Sequence, residues 1–231
     1  MMLPRRDPAT QSEGTVAGYA QTFQRWPSQP LVKRPQTRSE LTDPLIALTR
    51  RLGSVRGDLA GHGAKRALGQ LIKVRARIVD QDGAPVSGAV VEIWHCNAAG
   101  KYIHPNDSHD APVDPNFYGA ARMVAGDSGL IELRTIKPAA YPVPDTAGWW
   151  RPPHIHFSVW GRVWLSRLVT QMFFPGEPLN ESDAILNAIR DPEARRRCVA
   201  QLVPAAKGHQ DALVYEYQIV VRGRSSTPEL A

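Results

Sequence analysis

Apolar and polar residues alternate along several short stretches of the chain, which is the pattern of strands that bury one face. The clearest stretch is 71–78, where apolar side chains at 72, 74, 76 and 78 are separated by mostly basic ones. Five further stretches have strand-like patterns: 89–94, 129–136, 154–160, 168–174 and 213–221. Turns containing glycine or proline separate these stretches, so the sequence predicts an all-β protein with a β-sandwich core.

The first 69 residues differ in character, because they are rich in Pro, Arg, Gln, Ser and Thr and show little periodicity. We therefore expect residues 1–69 to form an extended N-terminal arm packed on the core or on a partner chain, and residues 70–231 to form the β-sandwich domain. Asp43 followed by Pro44 predicts one short helix over 43–52. A second helix is predicted over 183–203, and Pro192 marks the position where it can break.

The net charge of +6 is unevenly distributed along the chain. Residues 1–69 hold 11 Lys and Arg against 5 Asp and Glu, whereas residues 70–231 hold 17 of each kind. A nucleic-acid groove usually carries its basic residues on the folded face, so we expect no nucleic-acid partner. The chain also has no apolar run of the ~18 residues that a membrane helix needs, and its two cysteines cannot form a disulfide scaffold. These features predict a cytoplasmic protein without a membrane segment.

Candidate chemistry is concentrated in the segment 150–157, which reads Trp-Arg-Pro-Pro-His-Ile-His-Phe. Residues two apart on a strand face the same side, so His154 and His156 should project together while Ile155 and Phe157 face the opposite way. Two neighbouring imidazoles offer two neutral nitrogen donors, which is half of a metal site. The alternative is a chance pair of histidines whose nitrogens are simply hydrogen-bonded.

The residues that would complete such a site are less obvious. A carboxylate would give a two-histidine, one-carboxylate site for zinc or ferrous iron, but the nearest preceding one is Asp145. Tyr102 and Tyr141 instead lie in loop-like sequence beside strands, where functional groups tend to be mounted. Taken alone, each tyrosine is better explained as a packing residue with a hydrogen-bonded hydroxyl.

Together these residues resemble a known family, the intradiol ring-cleaving dioxygenases. Tyr102, Tyr141, His154 and His156 are spaced 39, 13 and 2 residues apart, as the ferric ligands of that family are. The similarity covers about residues 70–224 and includes the segments 79–86, 91–94, 114–117, 134–138, 150–157 and 170–171. It implies an enzyme with a bound Fe(III), a hard cation that favours phenolate oxygen donors.

Within the family, the chain is most similar to the β-subunit type that cleaves protocatechuate (3,4-dihydroxybenzoate) with O2 to 3-carboxy-cis,cis-muconate. By this resemblance, Tyr141 is the ligand that leaves when substrate binds, Arg151 is a cation near the substrate ring, and Gln171 lines the pocket. The resemblance also implies a homologous α subunit that completes the active site, with αβ protomers assembled into a larger oligomer.

Two departures from the pattern concern the substrate pocket. Val143 stands where protocatechuate enzymes commonly have tryptophan, and Tyr118 and Gly119 stand where a pair of glycines is usual. Val143 is therefore a candidate substrate-binding residue, and it leaves open another catechol, such as hydroxyquinol or a sulfonated catechol. An alternative from another class is a non-catalytic β-sandwich binding module, which the Asp-Gly-Ala-Pro-Val turn at 82–86 would suit.

Overall fold

The computed structural model describes residues 7–12, 29, 57–62, 64–144, 146, 148–161, 167–204 and 211–230. The helix expected over 43–52 lies outside the described residues. No helix in the described ranges is long and apolar enough to cross a membrane.

Strands dominate the described part of the chain, and twelve of them are found there. They are β1 (Gly61–His62), β2 (Lys65–Arg66), β3 (Leu71–Val79), β4 (Val90–Trp94), β5 (Ala120–Val124), β6 (Leu130–Ile136), β7 (Tyr141–Pro142), β8 (Trp150–Arg151), β9 (His154–Trp160), β10 (Arg167–Phe173), β11 (Gln201–Val203) and β12 (Leu213–Val220). All six strands predicted from the sequence are present, with each end within one residue, and the all-β prediction is confirmed. The pattern missed β5, β11 and the short strands β1, β2, β7 and β8.

Two four-stranded sheets make up the body of the structure. One sheet has the order β10-β9-β4-β5 and the other the order β11-β12-β3-β6, while β1 pairs with β2 and β7 with β8 as separate ribbons. The pairing of β12 with β3 is parallel, and the other strand pairings in the described part are antiparallel.

The core lies between the inner faces of the two four-stranded sheets. The alternating apolar residues of β3, at 72, 74, 76 and 78, are all buried, and they share one cluster with Ile155, Phe157 and Val159 of β9. In the last strand, β12, Tyr215, Tyr217 and Ile219 are buried on one face, whereas Leu213 at its start is 41% exposed. Period-two burial on both sheets therefore explains why the sequence folds as a sandwich.

The helix predicted over 183–203 is wrong in length. Two short helices, α1 (Ala184–Asn187) and α2 (Pro192–Arg197), occupy its first part, and the end of the range forms β11. Asp183 and Asp191 are their N-caps, accepting hydrogen bonds from backbone N–H groups of the first turn of each helix. Pro192 begins the second helix because proline has no N–H to continue the first.

The described parts of residues 1–69 pack on the β-sandwich. Leu59 and Ala60 are buried in the main core cluster, and the Leu59 N–H donates to the carbonyl of Arg134. Residues 7–12 contact the other end of the chain, where the Glu229 N–H donates to Oε1 of Gln11. The division into an arm and a domain at residue 70 stays a prediction.

Truncating a buried core side chain should lower the stability of the fold substantially. Phe157 is fully buried and packs at 5.6 Å from the ring of Tyr217 in the opposite sheet. We expect Phe157→Ala to lower the free energy of unfolding by about 3–5 kcal/mol, because it removes buried apolar surface and leaves a cavity. Urea denaturation checks this, with exposed Leu202→Ala as the control. A loss below about 1 kcal/mol for Phe157→Ala would contradict this packing.

Candidate metal centre

Strand β9 presents the two histidines of the sequence motif on one face. Their Nε2 atoms lie 3.2 Å apart, while the intervening Ile155 is buried in the core. His154 is 1% exposed, and its Nδ1–H donates to the carbonyl of Pro152 at 2.7 Å. That hydrogen bond leaves the Nε2 lone pair of His154 free to act as a donor towards the space between the two rings.

Two tyrosines, Tyr102 of a loop and Tyr141 of the short strand β7, reach the same point. The Tyr102 Oη is 3.2 Å from Nε2 of His156, and the Tyr141 Oη is 3.4 Å from Nε2 of His154. The phenol rings meet edge to face with centroids 5.4 Å apart. The structure thus brings together all four residues that the family resemblance singled out as ligands.

Glycine at position 100 allows the two segments that carry the tyrosines to approach each other. Gly100 has a φ of +81°, and a Cβ at this position would lie 2.7 Å from the carbonyl oxygen of Ala140. Ala140 directly precedes Tyr141, and Gly100 lies two residues before Tyr102. Asp107 also fixes this loop, because its Oδ2 accepts a hydrogen bond from the backbone N–H of Tyr102 at 2.7 Å. The positions of both phenols therefore depend on this close backbone contact.

The four donor atoms suit a hard, oxygen-preferring cation. Burial raises the pKa of Tyr102 well above its usual value, the nearby Tyr141 raises it further, and the positive charge of Arg151 lowers it. A bound cation favours the phenolate and would reverse this preference for the neutral phenol. Burial, then Arg151 and His156, hold the pKa of His154 well below its usual value, so its imidazole stays neutral as a metal ligand must.

The carboxylate alternative has no support in the geometry. Within the described ranges, no group of three or more His, Cys, Asp and Glu side chains is placed to hold a metal ion. A site of the two-histidine, one-carboxylate type therefore lacks its carboxylate there. Two imidazole nitrogens and two phenol oxygens remain as the donor atoms that this part of the structure offers to a metal ion.

Two aromatic residues that the sequence did not single out fix the histidine rings. Trp94 of β4 pairs with His156 in the strand register, and the two rings stack with centroids 4.8 Å apart and planes 7° from parallel. Phe173 of β10 pairs with His154, with ring centroids 5.7 Å apart. The signal for these contacts is the strand register, which the sequence alone did not supply.

Arg151, three residues before His154 in the chain, belongs to a buried polar network. It is 2% exposed; its Nε donates to Oδ2 of Asp183 at 2.6 Å, and its Nη2 donates to Oε1 of Gln171 at 2.5 Å. The Nε2 of Gln171 in turn donates to the carbonyl of Leu230 at 2.9 Å. The family resemblance indicated Arg151 and Gln171 but not Asp183, whose carboxylate also caps α1 by accepting a hydrogen bond from the N–H of Leu186.

The structure shows the surroundings of both positions where the sequence departs from the family pattern. Val143 follows β7 and is 6% exposed, and its N–H donates to the carbonyl of Trp149 at 2.9 Å. Its contact with substrate stays a prediction. Phe117 is buried beside the ring of His95, and Tyr118 packs against the main core cluster. This second departure therefore has a packing role.

Comparison with known proteins agrees with this fold. The family model described as Dioxygenase matches residues 49–223. The protocatechuate 3,4-dioxygenase beta chain of Burkholderia cepacia is 43% identical over 225 residues, which cover 88% of this chain and 94% of that protein. The hydroxyquinol 1,2-dioxygenase of Rhizobium sp. (strain MTP-10005) is 33% identical over 128 residues, or 51% of this chain and 42% of that protein.

Among solved structures, the 3-chlorocatechol 1,2-dioxygenase of Rhodococcus opacus 1CP superposes with a TM-score of 0.52 at 23% identity, covering 70% of this chain and 62% of that one. This likeness shows the fold. With the family match, it defines the chain as a β-sandwich dioxygenase. The chain belongs to the intradiol ring-cleaving dioxygenase family, and the alternative of a non-catalytic binding module is set aside.

Proposed function

We propose that the chain is the β subunit of a non-haem Fe(III) dioxygenase that cleaves protocatechuate with O2 between its two hydroxyl-bearing carbons, giving 3-carboxy-cis,cis-muconate. The observation that carries the proposal is the convergence of Tyr102, Tyr141, His154 and His156, with neighbouring donor atoms 3.2–3.4 Å apart. The substrate assignment is supported by the 43% identity with a protocatechuate 3,4-dioxygenase beta chain over nearly its whole length.

The four residues would hold the iron, with two phenolates offsetting two of its three positive charges. A bound ferric ion supplies the ability to draw electron density from a catecholate and so open its ring to attack by O2. Tyr141 lies on the two-residue strand β7, which pairs only with the equally short β8 in the described part of the chain. We expect Tyr141 to be the donor that gives way to a catechol oxygen and takes up its proton at Oη.

Arg151 supplies a fixed positive charge beside this centre. Its charge lowers the pKa of both Tyr102 and His154, so its field is felt at the ligand atoms. Asp183 and Gln171 hold the guanidinium in place through two short hydrogen bonds. A preorganised cation of this kind stabilises negative charge that develops on the substrate during the reaction.

An α subunit that covers the site is part of the proposal. Ile103, directly after Tyr102, is 52% exposed, and Trp150, directly before Arg151, is 45% exposed. Large apolar side chains left exposed beside a functional site are typical of a surface that a partner chain covers. The assembly of αβ protomers into a larger oligomer and the cytoplasmic location stay predictions.

If the proposal is right, the purified protein should be coloured. Phenolate ligands on ferric iron give charge-transfer absorption in the visible range, so we expect a red-brown protein with one iron per chain. Visible absorption and metal analysis check this, and removing the iron with a chelator should bleach the colour. A colourless preparation that nevertheless contains one iron per chain would count against the tyrosine ligands.

The proposed activity can be tested by measuring oxygen uptake. The chain, co-expressed with its α partner, is mixed with protocatechuate, and the product is identified by mass spectrometry. We expect one O2 consumed per protocatechuate, with both oxygen atoms in the product. A second candidate substrate, an uncarboxylated catechol such as hydroxyquinol, is favoured by Val143. A preference for that compound in a substrate panel would replace protocatechuate.

A further inference from the structure

A second concave site lies on the outer face of the sheet that contains β3 and β12. The cavity has a volume of about 650 Å³, and none of the residues that line it belongs to the candidate metal centre. Its charged lining residues are Arg75 and Arg77 of β3, Arg196 and Arg197 of α2, and Glu216 of β12, and Gln218 of β12 is among its polar ones. Four arginines therefore border one cavity in a part of the chain whose sequence carries no net charge.

Carboxylates offset two of these four arginines. Nη1 of Arg75 donates to Glu216 at 2.8 Å, and its Nε lies 3.2 Å from Glu132, so a positive charge on β3 sits between acidic groups on both neighbouring strands. Arg196 contacts Glu193 one turn earlier on α2 at 2.7 Å. Three carboxylates therefore face these two arginines, and both arginine charges are offset.

The other two arginines have no carboxylate partner among the residues that the structure describes. Nη1 of Arg77 donates to the carbonyl of Ser128 at 3.2 Å, which leaves its charge uncompensated. Nε and Nη2 of Arg197 are buried and have no hydrogen-bond acceptor there. A guanidinium that is partly shielded from water and lacks both a hydrogen-bond acceptor and a counter-charge destabilises the protein. An anion in the adjoining cavity would supply both to Arg197.

We propose that this cavity binds a small oxyanion, of the carboxylate or phosphate class, between Arg77 and Arg197. The planar guanidinium matches the oxygen geometry of such groups and binds them through paired, charge-assisted hydrogen bonds. Gln218 pairs with Arg77 in the strand register and adds an amide donor to the same wall. The proposal does not depend on the reaction proposed above, since the two sites share no residue.

Isothermal titration of sulfate into the iron-loaded complex tests the proposal, because sulfate is a tetrahedral dianion and a poor iron ligand. A control titration with chloride at matched ionic strength measures the non-specific effects of added charge. We expect one saturable site whose affinity falls about tenfold or more in both Arg77→Gln and Arg197→Gln, as the loss of one charge-assisted hydrogen bond implies. Arg66→Gln, an exposed arginine on β2 that does not line the cavity, should bind as wild type does.

Arg77 lies on the exposed face of a strand, so its variant should fold even if the Arg197 variant does not. Absence of saturable binding, or equal binding by wild type and the Arg77 variant, would overturn the proposal. The oxyanion could be a free anion or an acidic side chain of the partner subunit. The same titration on the chain without its partner distinguishes these two sources. Binding to the isolated chain that disappears in the complex would assign the cavity to an acidic side chain of the partner, and would overturn a site for a free anion. Oxygen uptake should be unchanged in the Arg77 variant.

Discussion

Tyr102→Phe and His156→Ala should each abolish iron binding or turnover while the protein remains folded. Each substitution removes one of the four donor atoms that lie 3.2–3.4 Å from a neighbour in the site. Residues that only support a ligand typically cost 10–100-fold in metal affinity or activity, so we expect losing a ligand itself to cost more than about 100-fold. Metal analysis and oxygen uptake on the purified variants measure this directly.

Matched substitutions elsewhere separate loss of a ligand from loss of structure. Tyr215→Phe removes a hydroxyl from a buried tyrosine that packs on Phe174 in the core, and His104→Ala removes an imidazole from an exposed loop. Both variants should keep their iron and their colour. Wild-type iron content and turnover in Tyr102→Phe or His156→Ala would remove that residue from the ligand set. Circular dichroism would show whether a variant without activity is still folded.

Arg151→Ala should lower both activity and stability, and the second effect comes from Asp183. The side chains of both residues are at most 2% exposed, and the substitution would leave the carboxylate of Asp183 buried without its cation. Breaking a buried ion pair by removing one partner typically costs about 3–5 kcal/mol, and we expect a loss of unfolding free energy of that size. Chemical denaturation of the iron-loaded protein measures it.

The double variant Arg151→Ala with Asp183→Asn isolates the role of the unpaired charge. It should recover part of the lost stability, because no buried carboxylate remains, but none of the lost activity. The control is Arg134→Ala, which breaks a partly exposed ion pair with Asp58 and should cost less than about 1 kcal/mol. If the double variant is no more stable than Arg151→Ala alone, then the charge of Asp183 is not what destabilises the single variant.

The sequence predicts the sandwich well because period-two burial is a local signal. Each of the six patterned stretches became a strand, including β9, whose alternation also places His154 and His156 side by side. The pattern missed β5, whose residues range from buried to exposed without alternating. The helix predicted over 183–203 was too long, because its last residues form β11, while the break expected at Pro192 falls where α2 begins.

Local rules predict only two of the four candidate metal ligands, namely the histidines. Strand geometry brings the two histidines together, but Tyr102 and Tyr141 meet them only through the close approach of two segments at Gly100, which no local period encodes. Their place in the site came from the family resemblance. Asp183 was missed for a different reason, since its sequence position is that of an ordinary helix cap. Its second role depends on tertiary contact with Arg151, which lies 32 residues away.

The parallel pairing of β12 with β3 has a consequence for how the protein is made. Arg75 and Glu216, which are joined across these strands, are 141 residues apart in the chain. During synthesis one edge of β3 therefore stays unpaired until Glu216 of β12, 141 positions after Arg75, has been made. Contacts of such long range slow folding and expose strand edges to association with other molecules. We expect refolding from denaturant to be slow and its yield to fall as protein concentration rises.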